Sequence, residues 1–170
     1  IKLFMGSSTG NMLVDRMESL RRIFGETDML IAAHCEDQAI ISRNAQKYLA
    51  MSKDGKDVPL IHHRNIRSAQ ACFVSSLLAV KLAKEAGARL HLLHVSTARE
   101  LDLLESLPQA DKRITAEACV ANLFFHCGDY RTLGSRIKCN PSIKRRPDRD
   151  ALRSAVNSGL VDVIATDHAP

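Results

Sequence analysis

The sequence predicts an α/β fold built on a parallel sheet of the barrel type, and three strand ends predict it. Leu160-Val161-Asp162-Val163-Ile164-Ala165 reads as a buried strand that delivers Asp167 and His168 at its C-terminal tip. Met29-Leu30-Ile31-Ala32-Ala33 delivers His34 in the same way, and Leu90-His91-Leu92-Leu93 delivers His94. Short apolar runs that alternate with helical patterns mark βα units. In a parallel barrel the C-terminal strand ends share one face, so residues distant in sequence meet there. Two imidazoles and a carboxylate meeting in this way suit a metal ion.

The elements follow in order. Ile1-Lys2-Leu3-Phe4-Met5 is a first apolar strand, after which Met12, Leu13, Met17, Leu20, Ile23 and Phe24 recur at helical spacing and Gly25 offers a stop. A helix near Asp37–Met51 follows the strand ending at His34, and the polar stretch from Ser52 to Asp57 reads as a loop, as do His62-His63. The longest helix is predicted over Ser68–Ala86, with Gly87 beyond its end. A strand over Arg89–Val95 runs into Thr97 and Glu100, which have capping-box spacing, so a helix starts directly after His94. Arg113–Val120 reads as a further strand, Gly128–Arg136 as an irregular loop, and Ile137–Cys139 as a possible short element. Pro147 then opens a helix with Leu152 and Val156 facing inward, and Gly159 closes it before the final strand.

A chain of 170 residues is long enough for one domain with a core. A closed eight-stranded barrel takes about 250 residues. The whole chain, 1–170, is therefore expected to be one partial barrel domain supplying roughly strands four to eight, the earlier strands and a C-terminal part lying outside it. The net charge of +5 is modest, and the run from Lys144 to Arg149 reads as a solvated helix entry. With no Trp, 4% aromatic residues and no basic–aromatic interleaving, nucleic-acid binding is disfavoured. The apolar run Leu77 to Val80 is too short to span a bilayer, and no membrane partner is expected. Five cysteines without C-x-x-C spacing suggest neither a disulfide framework nor a zinc ribbon, and point to a reducing, cytoplasmic setting.

Five segments together carry a resemblance: Lys2-Leu3-Phe4-Met5, Ala33-His34-Cys35-Glu36-Asp37, Leu93-His94-Val95-Ser96-Thr97, Lys138-Cys139-Asn140-Pro141 and Ala165-Thr166-Asp167-His168-Ala169-Pro170. In this order they resemble dihydroorotases, cyclic amidohydrolases of the metal-dependent (β/α)8 TIM-barrel group. The resemblance implies an enzyme of pyrimidine biosynthesis that interconverts dihydroorotate and N-carbamoyl-aspartate, these being its small-molecule partners, and a homo-oligomer is expected. It also implies zinc, one or two ions, with two expected where Lys2 reacts with CO2 and the carbamate bridges them. A neutral, desolvated lysine is a competent nucleophile for that step. His34 and His94 would then be the imidazole ligands of one metal. Asp167 would ligate the other and act as general base and acid, while Asn140 and His168 match substrate contacts.

Two departures bear on this. The H-x-H pair that supplies the second metal in the family occurs nowhere in the chain, and the adjacent His62-His63 are no substitute. Where many relatives carry His-His after the Glu of the fourth strand, the sequence here has Ala121-Asn122 following Glu117, with His126 four residues on. Dihydropyrimidinase or allantoinase activity, and a non-catalytic binding or scaffold role, are the competing expectations.

Overall fold

The computed structural model describes residues 1–6, 12–52 and 57–168. Five strands form one parallel sheet in chain order: β1 (Lys2–Phe4), β2 (Ile31–His34), β3 (Leu90–Leu92), β4 (Ile114–Cys119) and β5 (Val163–Ala165). Lys2 pairs with Ala32, Ile31 with Leu90, Leu90 with Ile114, and Glu117 with Val163. Side chains alternate across a strand, so Leu3, Ile31, Ala33, Leu90, Leu92, Ala116 and Ala118 enter the main core against the helices. The opposite face carries Lys2, Phe4, His34, His91, Thr115 and Glu117.

Nine residues, Met17–Gly25, form α1, which buries Leu20 and Phe24. The helix does not include Met12 and Leu13, as their spacing suggested. Leu13 instead bridges Phe4 in parallel and the Val14 amide donates to the Phe4 carbonyl, so extended chain follows the sheet edge first. Asp37 caps α2 (Gln38–Ala50) by accepting from the Ile40 amide at 2.8 Å. His62 and His63 are helical rather than loop residues: a 3-10 turn (Leu60–His62) leads into α3 (His63–Ile66). Of the loop expected from Ser52 to Asp57, residues 53–56 lie outside the described residues, as do Ala169 and Pro170.

Eighteen residues form α4 (Ala69–Ala86), capped by Ser68 and ended by Gly87 at φ +64°, whose amide reaches the Ala83 and Lys84 carbonyls. Only glycine adopts that backbone conformation without cost. By length and composition alone Leu60–Ala86 would suffice to cross a membrane, a longer apolar stretch than the run from Leu77 to Val80 suggested. Yet α4 buries Cys72, Ala79, Val80 and Leu82, the pattern of a core helix.

The capping box predicted at Thr97 and Glu100 is present and opens α5 (Ala98–Leu101). After β4 comes α6 (Val120–Phe124). The segment expected to be irregular is wound into short turns, Cys127–Asp129, α7 (Tyr130–Leu133) and Gly134–Ile137, and no separate element covers 137–139. These turns are held by a second small core of Tyr130, Ile137 and Ile143. Pro147 sits in the first turn of α8 (Arg146–Asn157), whose Leu152 is fully buried. The amides of Leu160 and Val161 both donate to the Ala155 carbonyl, which keeps them on the helix end and delays β5 to Val163. Lys144 is buried rather than solvated, its ammonium donating to the carbonyl and hydroxyl of Ser142 at 3.0 and 2.9 Å.

Candidate metal centre

Parallel pairing sets Phe4 beside His34, and the turn after β3 brings in His94. His34 Nδ1 and His94 Nε2 lie 2.8 Å apart, with ring centroids 4.6 Å apart and edge-on. Both rings are buried. Burial first, and then the adjacent His34, push His94 down to about 3, so it is a neutral imidazole with a lone pair to give. The mutual contact occupies one nitrogen of each ring, while His34 Nε2 and His94 Nδ1 are buried without a hydrogen-bond partner. Two buried imidazoles whose nitrogens face each other are donors of the kind zinc takes, two of the three or four protein ligands such a site needs.

The surrounding groups orient these rings. The fully buried Glu36 places a carboxylate oxygen 3.2 Å from His34 Nε2, close enough to attract but off hydrogen-bond alignment, and ion-pairs with Arg67. Burial works to raise the Glu36 carboxyl, but the His34 ring and the charges of Arg67 and Lys144 outweigh it and hold it below its ordinary value. The Arg67 carbonyl accepts from the Ser142 hydroxyl at 2.9 Å, which ties this carboxylate to the segment after Asn140. On the other side, Glu117 accepts from the His94 amide at 3.2 Å.

Lys2 stands on the same face of the sheet, exposed, its ammonium 5.1 Å from the centre of the Phe4 ring, and its charge is felt at His94. Asp167 is exposed at the tip of β5, where its charge acts on Cys119 and Cys139. Among the described residues no three or more His, Cys, Asp and Glu side chains are grouped to hold a metal, so Asp167 is not brought together with the two imidazoles. Among the described residues, His94 at φ +39° and Asp167 at φ +47° are the positive-φ residues other than glycine. Such conformations gather at functional sites. Asn140, before a cis peptide to Pro141, and His168 are exposed.

Several of these residues escape a reading of motifs. Glu117 and His91 sit inside apolar strands, where only their alternation with buried neighbours marks them as facing away from the helices. Arg67 carries no local signal at all. His63 Nε2 donates to the Cys139 carbonyl at 2.9 Å, pinning the segment that holds Asn140.

No family model matches the chain. It is 32% identical to the dihydroorotase of Bacillus caldolyticus over 167 residues, which is 98% of this chain and 36% of that protein. Halobacterium salinarum dihydroorotase is 31% identical over 172 residues, covering 99% of this chain and 37% of that protein. The allantoinase of Solibacter usitatus is 31% identical over 140 residues, 82% of this chain and 30% of that protein. The chain thus spans little more than a third of the length of the dihydroorotases it matches. Among solved structures, D-hydantoinase (dihydropyrimidinase) from Thermus sp. superposes with a TM-score of 0.84 at 19% identity, over 99% of this chain and 37% of that one. Dihydroorotase from Campylobacter jejuni does so with a TM-score of 0.61 at 18% identity, over 99% and 43%. These likenesses show the fold: the five-stranded parallel sheet is part of the TIM-type barrel of the cyclic amidohydrolases.

Proposed function

From a chain that is related along nearly its whole length to dihydroorotases and shares the fold of cyclic amidohydrolases, we propose a zinc-dependent cyclic amide hydrolase that interconverts dihydroorotate and N-carbamoyl-aspartate in the cytoplasm. The observation that carries the reading is the facing pair, His34 Nδ1 and His94 Nε2, in a buried site.

His34 and His94 would hold one zinc ion, and Lys2, once carboxylated, would offer an anionic oxygen beside them. Lys2 is exposed rather than desolvated, so in that step its ammonium first gives up a proton, the nitrogen then forms a C–N bond to CO2, and a second N–H proton is released as the carbamate forms. Zinc supplies Lewis acidity toward a carbonyl oxygen and lowers the pKa of water. The chain's own contribution in hydrolysis is proton handling at Asp167. Its carboxylate takes the proton of the attacking water and returns it to the ring nitrogen as the C–N bond of the cyclic amide breaks. Asn140 and His168 would bind the substrate's carboxylate and ring. Ring closure runs the same proton path in reverse. The five free cysteines, three of them buried, agree with a reducing compartment.

The intact protein assayed on dihydroorotate, dihydrouracil and allantoin decides the substrate. Turnover on dihydroorotate supports the proposal; turnover on dihydrouracil or allantoin alone moves the protein to a neighbouring activity. Zinc-loaded protein silent on all three would leave a binding role.

A further inference from the structure

We propose that Glu117 is a positioning residue: braced by His91, it fixes the left-handed turn that presents the His94 ring to His34. The inference rests on the metal-site reading given above. The Glu117 carboxylate accepts from the His94 amide at 3.2 Å through Oε1, and the Glu117 main-chain oxygen accepts from the next amide, Val95, at 2.8 Å. Two successive amides at the tip of β3 therefore end on one residue of β4.

The brace lies on the other side of the carboxylate. Glu117 Oε2 is 3.2 Å from His91 Nε2, and His91 Nδ1 is 2.8 Å from Thr115 Oγ1. Glu117 and His91 are 12% and 13% exposed in their side chains, so water competes little for these contacts. All of these side chains lie on the sheet face turned away from the main core. A polar relay on a face that could hold apolar residues needs a reason, and the His94 backbone supplies one. His94 stands at φ +39°, a region a side-chain-bearing residue keeps only where its surroundings over-determine it. Outer partners of metal ligands act by removing such freedom before the ion arrives.

The test compares Glu117→Ala with Glu117→Gln in the intact protein. Glutamine keeps an oxygen for the His94 amide, and its NH2 can donate to His91 once that ring accepts at Nε2 and donates from Nδ1 to Thr115; alanine keeps neither. The readouts are hydrogen exchange at the His94 amide, titration with zinc alone, and the melting temperature of the metal-free protein. We expect Glu117→Ala to speed exchange at His94 and weaken zinc binding roughly 10–100-fold, and Glu117→Gln to restore most of both. His91→Leu, which leaves the carboxylate but removes its brace, shifts both in the direction of Glu117→Ala. Unchanged exchange and zinc affinity in Glu117→Ala overturn the proposal, and so does a Glu117→Gln protein as impaired as the alanine variant. A wild-type protein that takes up no zinc removes the metal reading, while exchange at His94 still decides whether Glu117 fixes the turn.

Discussion

Gly6 packs so closely on Glu36 that a Cβ at this position would lie 1.3 Å from the Glu36 carbonyl oxygen. The obstacle is backbone, which cannot swing aside as a side chain does. Gly6→Ala must therefore push the strand tips of β1 and β2 apart beneath His34. Overpacking of this kind costs about 1–3 kcal/mol, occasionally more. Denaturant unfolding of the intact protein should show a loss in that range; a midpoint equal to wild type would mean that the two tips move independently.

Removing either imidazole should be worse for zinc than removing an outer partner. His34→Ala and His94→Ala each delete one of the two facing nitrogens, so affinity should fall by more than the roughly 10–100-fold typical of losing a residue that only holds a ligand in place. Titration with zinc under metal-free starting conditions measures it. Wild-type affinity in both variants would place the metal elsewhere.

Asp167 should separate binding from chemistry. Its side chain stands apart from the imidazole pair, so Asp167→Asn should leave zinc bound at His34 and His94. Loss of a general acid–base group should lower kcat by about 10²–10⁴-fold. Steady-state kinetics on dihydroorotate, paired with zinc content, checks both halves.

Acid should weaken the metal-free protein through His63 as well as through His94. Burial, aided by the charges of Arg67, Lys138 and Lys144 and opposed by the Cys139 carbonyl, holds His63 below its ordinary 6.5. As pH falls below 6.5 the unfolded chain binds this proton first, so the stabilisation is complete above 6.5 and is lost toward the lower folded value. Melting temperatures between about pH 7.5 and 5.5 should drop less steeply in His63→Gln than in wild type. Equal slopes would show that another group governs the acid side.

The strand ends and caps were legible because their signals are local. Apolar runs located all five strands, Thr97 and Glu100 gave the capping box, and Pro147 marked the start of α8. Strand limits were overestimated where backbone groups find partners off the sheet, as Leu160 and Val161 do on Ala155. His34 and His94 could be singled out as members of strand-end motifs, but their contact depends on the order in which strands pair. The roles of Glu117, His91 and Arg67 lay beyond reach for a related reason, although Glu117 itself marks the place of the expected His-His pair. Each acts through a partner more than 20 residues away, and single-chain periodicity carries no record of such pairings.

A sheet whose spatial order repeats its chain order has a consequence for how the molecule is made. Among these five strands each one after β1 pairs with the strand just before it in the chain, so its partner has already been synthesised when it emerges from the ribosome. The widest gap to close lies between Ile31 and Leu90, because α2, α3 and α4 intervene. Closing a longer loop adds little entropy cost per residue but slows the search. Assembly should therefore pause after β2, and His34 is then in place before its partner imidazole has left the tunnel.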